Sequence, residues 1–211
     1  MTAIIDYGAG NIRSVQNALQ YLGEETVLTS DPSMILSADH VILPGVGSFG
    51  DVMERLRGAE LTDVIRKVCA DGTPFLGICL GLQLLFEESE ESPGVSGLAI
   101  LPGRIVRIPE ETDSGKRYKV PEIGWNHLTY PNPGRLFSGV PEGSYVYFVH
   151  SYYLQCADPS LVTARTMYST MIDASVEKGN VFACQFHPEK SERTGMQILR
   201  NFLSVRKEDV C

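Results

Sequence analysis

Thr73-Pro-Phe-Leu-Gly-Ile-Cys79-Leu-Gly-Leu-Gln83 reads as a short apolar strand that runs through a G-x-C-x-G turn into a helix. A sharp turn of this kind displays the side chain between the glycines above the edge of a sheet. Gly77 and Gly81 make room where strand and helix approach closely. Cys79 is the side chain so displayed. The expected helix, residues 80–87, begins directly after it, and its unpaired N–H groups and dipole would favour the thiolate. An isolated cysteine in an apolar stretch is more often core filler. The flanking glycines turn the reading here toward a nucleophile.

Upstream of that stretch, short apolar runs alternate with amphipathic ones. Strands are expected over 3–7, 25–28 and 40–43, a helix over 11–22 and another over 61–70. Asn11 can cap the first helix, whose Ile12, Val15, Leu19 and Leu22 recur every three to four residues. The pattern is βαβ and implies an α/β fold with a central, mostly parallel sheet flanked by helices. From about Gly97 the texture changes to short β-like runs at 104–108, 125–128, 145–149, 162–167, 175–177 and 181–185, separated by Gly, Pro and Asn. Additional antiparallel strands are expected there, and a helix over 192–205, with Met196, Leu199, Phe202 and Leu203 on one face, closes the pattern. The segment 110–119, charged and without apolar period, reads as a mobile loop, and residues 207–209 as a solvated tail. No linker-like stretch interrupts the chain, so residues 1–211 are expected to form one domain.

Composition narrows the functional classes. The 211 residues are 43% hydrophobic and 21% charged, the profile of a globular protein with a buried core. A net charge of -8 disfavours nucleic acid and anionic membrane as partners. The first residues, Met1 to Tyr7, lack the basic flank and long apolar run of a signal peptide, and no transmembrane run occurs, so a cytosolic location is expected. Five cysteines (Cys69, Cys79, Cys156, Cys184 and Cys211) without C-x-x-C spacing indicate neither a disulfide framework nor a zinc site.

A cysteine nucleophile needs a base. Of His40, His127, His150 and His187, only the last has an evident orienting group, in Gln185-Phe-His187-Pro-Glu189-Lys190-Ser191. Pro188 extends the residue before it, so His187 and Glu189 can point to the same side. The other three histidines read as structural. Leu43-Pro-Gly-Val-Gly-Ser-Phe-Gly50 is a glycine-rich loop after an apolar strand. It fits a dinucleotide fingerprint poorly, because it follows the third expected strand and lacks the acidic ribose binder; a phosphate cradle stays open. Acyl transfer needs N–H donors for an oxyanion, and this loop can supply one, with the Leu80 N–H as the second.

Together, Pro44-Gly-Val-Gly47, Gly77-Ile-Cys79-Leu-Gly81-Leu-Gln83 and His187-Pro-Glu189 resemble the class I glutamine amidotransferases, which have a flavodoxin-like fold and a Cys-His-Glu triad. Asp6-Tyr-Gly-Ala-Gly-Asn11, Gly124-Trp-Asn126, Phe148-Val-His-Ser-Tyr152 and Phe186-His-Pro-Glu-Lys-Ser191 are similar to the glutaminase subunits of imidazole glycerol phosphate synthases. The resemblance implies hydrolysis of L-glutamine in histidine biosynthesis, with ammonia passed to a (β/α)8-barrel cyclase in a heterodimer and no cofactor or metal. It implies Cys79, His187 and Glu189 as the catalytic triad, Val46 and Leu80 N–H groups as the oxyanion hole, and Gly47, Gln83, Ser151 and Tyr152 as glutamine contacts. The Val46 peptide is expected to reorient before it donates, and Tyr147 and Lys190 to face the cyclase. Three readings compete: a subunit serving another amidotransferase, a free-standing cysteine hydrolase, and an inactive scaffold.

Overall fold

The strands Thr2–Ile5 (β1), Thr26–Thr29 (β2), His40–Gly45 (β3) and Phe75–Cys79 (β4) lie parallel, and three of them are buried along their whole length. Near-continuous apolar runs form such strands because both faces are covered by helices. Those helices are α1 (Ile12–Tyr21), α2 (Pro32–Ser37), α3 (Phe49–Gly58) and α4 (Leu61–Ala70), followed by the single turn α5 (Leu80–Gln83). The computed structural model describes residues 1–8 and 12–210, with side chains as far as Glu208. The cap expected at Asn11 and the thiol of Cys211 lie outside the described residues.

The second half adds β5 (Glu88–Ser89), β6 (Gly103–Arg107), β7 (Glu122–His127), β8 (Tyr145–His150), β9 (Tyr152–Cys156), β10 (Val162–Met167), β11 (Met171–Lys178), β12 (Val181–Cys184) and α6 (Glu192–Ser204). The ten-stranded sheet runs β2-β1-β3-β4-β12-β11-β9-β6-β5, with β10 beside β11, while β7 and β8 form a separate antiparallel ribbon. β12 joins the parallel half beside β4, and β11, β9 and β10 are antiparallel to their neighbours. The first five strands thus repeat the order 2-1-3-4-5 of flavodoxin-like folds, in which ligands bind beyond the carboxyl ends of the strands.

Alternation along the strands splits the core in two. Ala3, Ile5, Val41 and Leu43 face the layer of α2, α3 and α4. Ile4, Ile42, Leu76 and Ile78 face α1 and α6, through Val15 and Leu19 on one helix and Ile198, Leu199 and Phe202 on the other.

Two expectations fail for physical reasons. The helix expected over 80–87 ends at Gln83. Beyond it, the carbonyls of Leu84, Leu85, Phe86 and Glu87 accept from the N–H groups of residues 97–101 instead of from the next helical turn. The buried run 80–86, whose apolar residues are interrupted only by Gly81 and Gln83, carries no period that distinguishes the two outcomes. The 110–119 segment, expected as a mobile loop, is a tied turn. Thr112 N donates to Lys116 O at 2.9 Å, Tyr118 N to Glu110 O at 2.8 Å, and the Tyr118 ring meets Tyr168 edge-on at 4.9 Å.

Candidate active site

Cys79 ends β4 with φ 55° and ψ -110°, a conformation that a side chain adopts only under strain, and it is 7% exposed. The neighbouring glycines let the chain make this turn. A Cβ on Gly45 would lie 2.6 Å from the Gly81 nitrogen, one on Gly77 2.6 Å from the Gly81 oxygen, and one on Gly81 would run into the Leu43 carbonyl oxygen. Gly45 is also the register partner of Cys79 across β3 and β4. The glycine-rich loop therefore starts beside the sulfur. The dipole of a full helix behind Cys79, expected from the sequence, is reduced to one turn.

His187 follows β12, and its Nδ1 lies 2.8 Å from Glu189 Oε1, both side chains almost wholly buried at 3% and 1% exposure. The reach from 187 to 189 comes from a 3-10 turn, Pro188–Lys190, rather than from strand alternation. Its frame is rigid: His187 N donates to Tyr147 O at 2.9 Å, Ser191 Oγ to His187 O at 2.6 Å, and Tyr147 N to Ser191 Oγ at 3.0 Å. His187 Nε2 makes no conventional hydrogen bond among the described residues. Cys79 nonetheless lies close enough to act on the imidazole electrostatically. Burial pulls the His187 pKa down, but the Cys79 and Glu189 side chains outweigh it and raise it to about 9. A charged imidazolium beside a sulfur can form a thiolate–imidazolium pair and later give its proton to a leaving amine.

A cavity of about 300 Å³ brings Cys79, His187, Val46, Gly47, Leu80, Gln83, Ser151 and Tyr152 to one wall. All the residues expected to bind glutamine or hold an oxyanion thus line one space. A larger cavity, about 550 Å³, opens at the amino ends of the strands around Met1, His40 and Val205, away from this chemistry. In the smaller one Val46 is 37% exposed and Gly47 has φ +107°. The buried Tyr7 hydroxyl donates to Pro44 O at 2.9 Å, and burial, opposed by the nearby Val46 N–H, pushes its pKa up to about 12.

Four groups escaped the sequence reading. Glu91 is the carboxylate on the cavity wall, and its Oε2 accepts from Phe49 N at 2.7 Å. His150, read as structural, lines the cavity, with Nδ1 2.9 Å from Tyr152 O and Nε2 3.2 Å from Glu122. A carbonyl only accepts, so His150 donates from Nδ1 to Tyr152 O. Gln185 and Ser191 are buried polar side chains behind the cavity, against Cys79 Sγ and His187 O respectively. His40 and His127 lie elsewhere, against Val205 O and Tyr145. Tyr147 and Lys190 stand together, with Lys190 Nζ 5.8 Å from the Tyr147 ring, on a face of the β7–β8 ribbon that leaves Ile123, Trp125 and Tyr145 exposed. Among the described residues no cluster of metal-ligating side chains forms, and no helix is long and apolar enough to cross a membrane.

Known proteins resemble this chain in sequence and fold. The sequence model of the family described as "Glutamine amidotransferase class-I" matches residues 3–205. The chain is 52% identical over 205 residues to "Imidazole glycerol phosphate synthase subunit HisH" of Bacillus cereus (strain G9842), covering 97% of this chain and 95% of that one. It is 49% identical over 207 residues to the protein of the same name from Methanothermobacter thermautotrophicus, covering 97% and 98%. Among solved structures it superposes on a glutamine amidotransferase with a TM-score of 0.73 at 21% identity, covering 95% and 96% of the two chains. It also superposes on PurLQS from Thermotoga maritima with a TM-score of 0.71 at 23% identity, covering 96% of each. Those two likenesses speak for the fold, and the far higher identities speak for the branch: this chain belongs to the class-I glutamine amidotransferases, in the group of imidazole glycerol phosphate synthase HisH subunits.

Proposed function

We propose that this chain is the glutaminase subunit of an imidazole glycerol phosphate synthase, and that it hydrolyses L-glutamine through Cys79, His187 and Glu189. The observation that carries the reading is the buried His187–Glu189 pair at 2.8 Å beside a cysteine displayed on a strained turn. The Cys79 thiolate attacks the side-chain amide carbon of glutamine, and the tetrahedral oxyanion is held by the N–H groups of Leu80 and Val46. The imidazolium of His187 gives its proton to the leaving nitrogen, ammonia departs, and a γ-glutamyl thioester remains on Cys79. Neutral His187 then takes a proton from water. The hydroxide equivalent attacks the thioester, glutamate leaves, and the thiolate–imidazolium pair returns.

Glutamine's α-ammonium is best received by Glu91 and by the free Oε1 of Gln83, since both line the cavity and an ammonium needs acceptors. Gly47, Ser151 and Tyr152 close the pocket around the rest of the substrate. The partner is a cyclase subunit, proposed here as a (β/α)8 barrel in a cytoplasmic heterodimer, with the whole chain acting as one domain. Its dock is the ribbon face carrying Trp125, Tyr147 and Lys190. That face is supported by the exposed Ile123, Trp125 and Tyr145, and by the bond from His187 N to Tyr147 O, which puts the ribbon directly behind the catalytic imidazole.

The deciding experiment measures glutamate release by the chain alone, with a barrel cyclase, and with the cyclase loaded with its nucleotide substrate. Stimulation by two orders of magnitude or more in the loaded complex is expected. Equal rates in all three would favour a free-standing cysteine hydrolase, and no hydrolysis in any would favour a scaffold.

A further inference from the structure

Gln185 is fully buried at the end of a strand otherwise made of Val181, Phe182, Ala183 and Cys184, where an amide side chain needs a partner for each polar atom. Its Nε2 lies 3.7 Å from Cys79 Sγ, and its Oε1 lies 3.0 Å from Gln83 Nε2. Gln83 Nε2 in turn lies 3.1 Å from the backbone oxygen of Tyr152. Oxygen and nitrogen of an amide side chain are interchangeable in appearance, so the direction of each bond has to be argued.

The Tyr152 carbonyl settles it, because a backbone oxygen can only accept. Gln83 must therefore turn its NH2 toward Tyr152 and so toward Gln185. Gln185 must then present its oxygen to Gln83, which leaves its NH2 facing the sulfur. Any single flip sets two donors or two acceptors against each other at a buried contact. His150 Nδ1 at 2.9 Å from the same carbonyl holds the start of the chain in place.

The groups around the sulfur do not act equally on its two states. The Val149 carbonyl, 3.9 Å away, can accept from the thiol and only repels a thiolate. An amide N–H does the reverse, and a hydrogen bond to an ionised acceptor is roughly twice as strong as one to a neutral acceptor. We infer that Gln185 is a further catalytic residue: its amide donates to the Cys79 sulfur and holds the nucleophile in its thiolate form, in an orientation relayed from Tyr152 through Gln83. Gln83 thereby gains a positioning role besides its contact with glutamine, since only its Oε1 remains for the substrate.

The inference rests on Cys79 being the nucleophile, but its test needs neither glutamine nor cyclase, so the two readings fail separately. The rate of Cys79 carbamidomethylation by iodoacetamide at pH 7, read on the Cys79 peptide by mass spectrometry, is compared in the full-length chain and two variants. Gln185→Met keeps the volume and removes the donor; Gln83→Leu keeps Gln185 and removes what orients it. A fall of about tenfold in Gln185→Met and a smaller fall in Gln83→Leu are expected, together with weaker thiolate absorbance near 240 nm. Folded Gln185→Met alkylated at the wild-type rate overturns the inference. Should Gln185→Met not fold, an unchanged rate in Gln83→Leu does the same.

Discussion

The two halves of the site are built differently. The nucleophile half, formed by residues 75–83 and 181–191, is buried and cross-tied: Cys79 is 7% exposed, His187 3% and Ser191 1%, and its backbone and side chains are fixed by bonds to β8 and to one another. The half proposed to hold the oxyanion, residues 44–48, hangs from the end of β3 with Val46 37% exposed, Gly47 at φ +107° and the Tyr7 hydroxyl as the side chain that anchors Pro44. A reactive thiolate has to be pre-formed, which suits packed strands. A donor that should act only when a partner is bound belongs on a segment that can turn over, and glycines on both sides of Val46 allow it. The contrast teaches that gating can be placed in the stabilisation of the intermediate while the nucleophile stays ready.

Two glycine substitutions separate the halves most sharply. A methyl on Gly81 collides with the Leu43 carbonyl oxygen and sits 3.0 Å from its carbon, with only backbone to give way. Gly81→Ala is expected to lose at least about 3 kcal/mol of stability, or not to fold at all. A methyl on Gly47 meets nothing within 4 Å, so Gly47→Ala bears only the backbone strain of φ +107°, about 1 to 2 kcal/mol. Urea denaturation of both variants measures the gap. Equal losses would mean that the loop is as rigidly built as the elbow.

The halves also differ in what titrates. Pro44 to Ser48 carries no ionisable side chain, whereas His187 is raised from its ordinary value to about 9 by the balance of burial against Cys79 and Glu189. Its folded pKa lies above the unfolded one, so the native state binds more protons in that window. The contribution to stability is complete below about pH 6.5 and is lost as pH rises through about 9, at most about 3 kcal/mol. Burial raises the thiols of Cys69 and Cys184 as well, and they push the same way at alkaline pH. The informative quantity is therefore the difference between wild type and His187→Gln in urea midpoints from pH 6 to 10. A constant difference would mean that the native state binds no extra proton through His187 in this range.

How much of this was legible in the sequence follows from where each signal resides. Strand-turn-helix punctuation around Cys79 and the His-Pro-Glu stretch are local, so the elbow and the His187–Glu189 pair could be read from residue order alone. The length of α5 could not, because residues 97–101 supply the bonds that end it. The placing of His150 and Glu91 on the cavity wall depends on long-range pairing of β7 with β8 and on the return of residues 87–91 to the loop before α3. Gln185 did leave a trace, a lone amide at the end of a buried apolar strand, which asks for a partner on burial grounds. The charged 110–119 segment concealed its order because its ties, backbone bonds together with polar pairs such as Arg117 with Glu111 and the ring contact of Tyr118 with Tyr168, follow no apolar period.

The smallest predicted effect probes the anchor of the loop. Tyr7 stands in the core beside Leu43 and Phe49, and its hydroxyl donates to Pro44 O while lying near the Val46 N–H, so one oxygen restrains the peptides on both sides of Gly45. Tyr7→Phe removes that oxygen and keeps the ring, for a loss of about 1 kcal/mol. If the hydroxyl helps to hold Val46 out of its donating position, the variant should release glutamate two- to fivefold faster without the cyclase. On the proposed gating the loaded complex should be nearly unchanged, because there the partner would supply the energy of reorientation. The stimulation ratio should therefore shrink from its denominator. Should the complex slow instead while the free subunit stays as it was, the hydroxyl supports the donating conformation, and the loop is held in readiness much as the elbow is.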